Sequence, residues 1–256
     1  MLRIIVYTCF HSCGGLGDRL NGITAALAVS LATRREFRIH APATTAALTP
    51  ADIRWDLPIP PSCHPVHVID QGKSGYSKFL KLASSDIACI RVRINQYYGD
   101  KQSQLLKQLF RPLPRSSAAP PYAAIHIRTG GNGDFKGFDP ARYNISDIPR
   151  FLAPLIEWTG TVYIASDSSL VKSASLIACR KRNLTCVHSV HRARHIDREK
   201  VTVADIQNTW DEFFMLAQAH CLVYSQSGFS ELALLWPGNA INASCSLQIK
   251  LLPSPI

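Results

Sequence analysis

Two kinds of hydrophobic spacing alternate along the chain. Short apolar runs at 2–8, from 38 onward, at 66–69 and at 88–94 read as strands, while 18–33, 76–83 and 103–110 carry apolar residues at helical spacing. Residues 20, 23, 26, 27 and 31 form the apolar face of the first of these helices. Residues 41–75 are otherwise proline-rich and aperiodic, so they read mostly as loop. A second series follows, with strands at 122–127, 161–165, 184–187 and 221–224 and helices near 146–158, 168–182, 204–219 and 229–236. Strands that alternate with helices predict parallel sheets. The stretch 111–121 holds four prolines and reads as a linker, which divides the chain into lobes at 1–115 and 121–256.

Candidate chemistry gathers where predicted strands end. His126 and Arg128 close one strand ahead of Gly130-Gly-Asn-Gly, and in an open parallel sheet ligands bind at the carboxyl ends of the strands. Arginine suits a diphosphate because its planar fork donates two parallel hydrogen bonds and stays charged. Alternatively it is a surface salt-bridge residue. Ser225, Ser227 and Gly228 lie where another strand feeds a helix, a place where amides and hydroxyls bind anions; Ser227 or Ser230 equally suits a plain helix cap. Asp167 follows a third strand as a ligand or an N-cap. Near the start, Gly14, Gly15 and Gly17 permit a tight turn and close backbone approach to a sugar or phosphate, with Asp18, Arg19 and Asn21 beside it. That loop lacks the Gly-x-Gly-x-x-Gly spacing and the later acidic residue of a dinucleotide site.

Taken together these segments have a familiar order. Cys-Gly-Gly-Leu-Gly-Asp-Arg-Leu-Asn-Gly (13–22), His-Ile-Arg (126–128), Tyr-Ile-Ala-Ser-Asp (163–167), and Asp211 sixteen residues before Ser227 in Ser-Gln-Ser-Gly-Phe resemble the fucosyltransferase superfamily of α-1,6-, α-1,2-, nodulation and protein O-fucosyltransferases. The resemblance implies a GT-B-like α/β fold, two Rossmann-like lobes with an active-site cleft between them. It implies an inverting transfer of L-fucose from GDP-fucose to a glycan or glycoconjugate hydroxyl. Residues 1–115 would face the acceptor and 121–256 would hold the donor. Arg128 would neutralise the β-phosphate, Ser225, Ser227, Gly228 and Phe229 would line the donor from the facing helix start, and Gly15 and Gly17 would approach it from the other lobe. Asp211 would accept the guanine hydrogens, or it is a helix first-turn carboxylate. His126 would line the base pocket, or it is a satisfied core histidine. Asp134 would be the base, with Asp139 second; either also suits a turn. Relatives with tandem arginines have Arg-Arg where this chain has Arg128-Thr129. Another nucleotide sugar, or a non-catalytic GDP-sugar or glycan-binding module, stays as the alternative.

Composition narrows this further. At 256 residues, 46% hydrophobic, the chain can bury a sizeable core. No apolar run reaches the roughly 18–20 residues of a membrane span, so the expectation is a cytoplasmic chain, or a Golgi-luminal one trimmed of an anchor. Its formal charge of +10 is uneven: 1–120 holds 15 basic against 7 acidic residues, 121–256 holds 13 against 11. Scattered basic residues without aromatic interleaving disfavour nucleic acid and fit steering of an anionic donor or acceptor. No Asp-x-Asp motif and no complete Gly-x-x-x-x-Gly-Lys-Ser/Thr loop occurs, so metal-independent transfer without a cofactor is expected. Eight cysteines without close metal-site spacing, several in apolar stretches, read as buried thiols rather than a disulfide framework. Asn144, Asn183 and Asn242 open formal glycosylation sequons.

Overall fold

The computed structural model describes residues 3–9, 13–61, 63, 66–69, 73–94, 101–111, 121–134, 139–194, 196, 201–239 and 241–251. Its chain forms two compact units, divided between residues 112 and 113, with Leu235–Pro237 grouped with the first. Most of the expected linker, 112–120, lies outside the described residues.

The first unit carries a parallel four-stranded sheet, ordered β2-β1-β4-β3, from β1 (Ile4–Thr8), β2 (Glu36–His40), β3 (Val66–Ile69) and β4 (Cys89–Ile94). Helix α1 (Leu16–Ala32) buries Leu20, Ile23 and Leu27 completely, about 2 kcal/mol for each side chain. A short α2 (Pro42–Thr45) interrupts the aperiodic stretch, and α3 (Lys73–Ala83) and α4 (Gln102–Leu109) complete the unit. Arg35 is one basic residue with a structural task. Its buried guanidinium donates to the carbonyls of Ala83, Ser85 and Ile87 at 2.6–2.7 Å, capping the end of α3. Trp55 donates Nε1–H to Leu109 O at 2.7 Å, and Phe110 stacks on Trp236 at 5.3 Å.

The second unit has five parallel strands in the order β7-β6-β5-β8-β9: β5 (Ala123–Ile127), β6 (Thr161–Ser166), β7 (Thr185–His188), β8 (Cys221–Ser225) and β9 (Leu247–Ile249). This is the 3-2-1-4-5 order of a Rossmann-type sheet. Three of its helices have nearly the predicted extents, α6 (Ser169–Arg180), α7 (Val203–Ala217) and α8 (Gly228–Leu235). The expected helix over 146–158 does not form as one piece. A 3-10 turn, α5 (Ile148–Leu152) and a second 3-10 turn at Ala153–Leu155 replace it, because Pro154 cannot donate a backbone hydrogen bond. Phe151, Leu152 and Leu155 still reach the core with Ile125, Ile164 and Val223.

The cysteines correct the sequence reading. All eight are paired, as Cys9–Cys13, Cys63–Cys89, Cys179–Cys186 and Cys221–Cys245, two disulfides to each unit. Burial in apolar surroundings suits a disulfide as well as a thiol, and the sheet register supplies the partners. Cys221 opens β8, and Cys245 lies just ahead of the neighbouring β9.

Candidate functional site

In the second unit the chain runs outward from β5 through β6 to β7, then crosses back to β8 on the other side of β5. The strand order therefore reverses between β5 and β8, and such a switch point opens a crevice at the carboxyl ends. Because the strands are parallel and in register, with His126 opposite Ala165 and Tyr224, the segments that follow them emerge together. Arg128 follows β5, Asp167 and Ser168 follow β6, and Ser225 to Phe229 connect β8 to α8. Three stretches far apart in sequence thus meet at one edge.

Arg128 is held on both sides. Its Nη2 pairs with Asp139, and its Nη1 lies 3.2 Å from Asp167; the side chain is 20% exposed, enough to meet a ligand. Its backbone N–H donates to Ser225 Oγ at 2.8 Å, which ties the end of β5 to the end of β8. Asp167 is not the cap of the following helix. Ser168 caps α6, accepting from Val171 N–H, while the buried Asp167 carboxylate accepts from Thr129 N–H at 2.6 Å, Thr129 Oγ1 at 2.8 Å and Gly130 N–H at 2.9 Å. It positions the turn that carries the arginine.

That turn depends on Gly130, which has φ +56° and whose missing Cβ would lie 2.2 Å from Pro140 O. The close approach lets Gly130 bridge Ala141 and lets Arg142 N–H donate to Thr129 O at 3.0 Å. Arg142 consequently returns to the site and donates from Nη1 to Gln226 O at 2.8 Å, at the start of the β8–α8 turn. Nothing in the sequence pattern marked Arg142; the folded-back segment after the glycine loop brings this second arginine to the edge that carries Arg128.

His126 lies beneath these cations, its Nδ1 3.0 Å from Ser230 Oγ and its ring 5.5 Å from that of Phe229. Burial, then the charges of Arg128, Lys172 and Arg142, push its pKa down to about 3, so it is neutral at physiological pH. Its burial and its contact with Ser230 are those of a satisfied core histidine, and burial is the main cause of its depression, with the nearby cations adding to it. Ser225 is fully buried and occupied with Arg128. Ser227 accepts Phe229 N–H at 3.3 Å ahead of α8, and the amides of the first turn have no intrahelical acceptor. Phe229 is half-buried against Phe213.

The other expected residues are dispersed. Asp134 accepts from Ser169 Oγ at 2.9 Å and lies 3.5 Å from Arg192 Nε, turned toward the start of α6. Asp211 is exposed on α7, taking a hydrogen bond from Gln207 Nε2 at 2.8 Å. Its neighbour Glu212 is largely buried, with 13% of its side chain exposed, and is bonded to Lys172 Nζ at 2.7 Å; burial raises its pKa despite that partner. In the first unit Gly14 has φ +80° and faces Asp18, whose carboxylate accepts Gly15 N–H at 3.1 Å. Gly17 is buried in the first turn of α1, Arg19 is buried against Gly14 O and Thr44, and Asn21 accepts from Gln102. Among the described residues one group offers three metal-type ligand atoms, His220, Cys221 and Cys245, but its sulfurs form a disulfide and offer no thiolate.

No family model matches the sequence, and no curated protein matches it. Solved structures share its fold. NodZ α-1,6-fucosyltransferase soaked with GDP-fucose aligns at 12% identity with a TM-score of 0.53, covering 92% of each chain. A NodZ fucosyltransferase from Bradyrhizobium gives 0.52 at 12% identity over 93% of this chain and 94% of that one. POFUT1 in its apo-form gives 0.55 at 10% identity over 97% of each, and POFUT1 has also been crystallised in complex with GDP-fucose. The chain therefore has a fucosyltransferase-like, GT-B-type α/β fold with a parallel sheet in each unit.

Proposed function

We propose that the chain is an inverting glycosyltransferase that moves L-fucose from GDP-fucose to a glycan or glycoconjugate hydroxyl. The observation that carries this reading is Arg128 at the β5/β8 switch point, held by a buried carboxylate and flanked by the start of α8 and by Arg142. A diphosphate there would meet two guanidinium groups and the start of α8, whose dipole favours an anion. In the transfer, an acceptor oxygen bonds to the anomeric carbon from the face opposite the nucleotide. The bond from that carbon to the β-phosphate oxygen breaks, and GDP leaves with the electron pair. Negative charge grows on the phosphate as this happens, so Arg128 favours the transition state over the ground state.

The acceptor proton needs a base. Asp139 touches Arg128, whereas Asp134 is turned to Ser169 and Arg192, so we assign proton acceptance to Asp139. One observation favours the alternative of a binding module without turnover: both carboxylates are engaged in ion pairs. Calorimetric titration with GDP, UDP and ADP, without metal, on the intact chain and on Arg128→Ala tests the donor site. The expected result is selective GDP binding that the variant loses. A preference for UDP or ADP refutes it. GDP release from GDP-fucose across an acceptor array then separates transferase from binding module, and Asp139→Asn should abolish that release.

A further inference from the structure

We propose that Asn144, Asn183 and Asn242 are N-glycosylated and that the chain matures in an oxidising lumen. Three of its eight asparagines open an Asn-X-Ser/Thr sequence, and all three are exposed. Independently, every cysteine is in a disulfide, which a reducing cytosol would not sustain. The same compartment houses both chemistries.

Local geometry suits an attached sugar. Asn144 Oδ1 accepts from Ser146 N–H and Oγ at 2.8 and 2.7 Å, and Asn242 Oδ1 accepts from Ser244 N–H and Oγ, both at 2.9 Å. In each turn the amide oxygen is used and the Nδ2 group has no partner among the described residues. A glycan on Nδ2 therefore leaves the turn intact. Asn183 stands in the left-handed region at φ +57°, exposed between the end of α6 and β7, with Thr185 also exposed. In the modification, Nδ2 bonds to the anomeric carbon of a lipid-diphosphate-linked oligosaccharide. The bond from that carbon to the diphosphate oxygen breaks, the lipid diphosphate leaves with the electron pair, and the amide loses one proton to a base of the transferring enzyme.

Placement also fits. Asn183 and Asn242 lie at the amino-terminal edge of the second sheet, Asn242 N–H donating to His220 O just ahead of β8, opposite the edge that carries Arg128. Glycans there leave the candidate site open. Asn144 lies on the carboxyl side, where Tyr143 bonds Ile249 O at the end of β9.

The test uses protein purified from the cells that make it. Enzymatic release of N-glycans in heavy-oxygen water converts each occupied asparagine to a labelled aspartate, read by peptide mass spectrometry, while alkylation before and after reduction counts thiols. Label at all three positions, with no thiol before reduction and eight after, is the expected result. An unlabelled position overturns the assignment at that asparagine, and reactive thiols before reduction overturn the compartment. No variant is needed, so misfolding does not confound the outcome.

Discussion

Replacing Asp167 by asparagine preserves its shape and removes its charge. The carboxylate accepts three hydrogen bonds, from Thr129 N–H, Thr129 Oγ1 and Gly130 N–H, and pairs with Arg128 Nη1 at 3.2 Å, all with only 4% of the residue exposed. Asparagine offers one oxygen. With that oxygen on Thr129, its NH2 group faces the Gly130 N–H and the guanidinium, donor against donor. The buried Gly130 amide loses its acceptor, roughly 1–3 kcal/mol, and Arg128 loses its inner partner while keeping Asp139. Breaking a buried pair from one side costs about 3–5 kcal/mol, and the outer partner and partial exposure of Arg128 hold the combined loss near about 4 kcal/mol. At roughly 3 °C per kcal/mol for a domain of this size, the second unit should unfold on the order of 10 °C lower. Arg128, freed from its inner anchor, should also bind GDP at least tenfold more weakly. Calorimetric melting and nucleotide titration of Asp167→Asn check both. An unfolding shift below about 1 kcal/mol with unchanged GDP affinity would refute the assignment of Asp167 as the residue that positions the arginine turn.

Further outcomes follow from other buried groups. His126 has its folded-state pKa lowered to about 3, so the unfolded chain takes up a proton below the ordinary value of 6.5 while the folded chain does not; stability is complete above that pH and falls as pH drops toward 3. Between pH 6.5 and 5 the loss from this residue is about 2 kcal/mol, and in urea titrations His126→Asn should remove that part of the slope. Lys172→Met leaves Glu212 buried without its cation and should cost about 3–5 kcal/mol, whereas Lys172→Met combined with Glu212→Leu should recover most of it; a double-mutant cycle in thermal melting reads the difference. Removing the Cys221–Cys245 disulfide with paired alanines releases a 24-residue separation, worth about 3.5 kcal/mol in the chain-entropy account, measurable as a lower urea midpoint.

The strands and long helices were legible because their spacing is local. A buried parallel strand must be nearly all apolar and an amphipathic helix must repeat its apolar stripe, so 122–127 and 204–219 read correctly to within a few residues. Elements without such a signal were missed. β9 is three residues long at the sheet edge, with Leu247 exposed, and α2 is a single turn begun by Pro42. The break in the 146–158 helix was written in Pro149 and Pro154, although only Pro154 interrupts, since Pro149 sits in the first turn where its missing N–H costs nothing. The disulfides were not legible, because apolar neighbours describe burial and say nothing about which sulfur lies opposite. Pairing of Cys179 with Cys186 depends on α6 lying against β7, and that of Cys221 with Cys245 on β8 lying beside β9.

Arg142 shows why a site can be found from motifs and still be misjudged. With Thr129 beside Arg128, the motif looks one cation short of a tandem pair. The structure makes Thr129 useful in another way: its amide and hydroxyl anchor on Asp167, and its carbonyl accepts from Arg142. An arginine at 129 could not supply that hydroxyl hydrogen bond, and it would put a third charged fork beside Arg128 and Arg142. The glycine at 130 then lets the 139–142 segment approach closely enough for the bridge to Ala141, which carries Arg142 to Gln226. The cations at the switch point thus come from two loops instead of one, and they add to the burial that depresses His126 beneath them. Two guanidinium groups that are not adjacent in sequence come to one sheet edge, an arrangement that the dipeptide at 128–129 does not reveal.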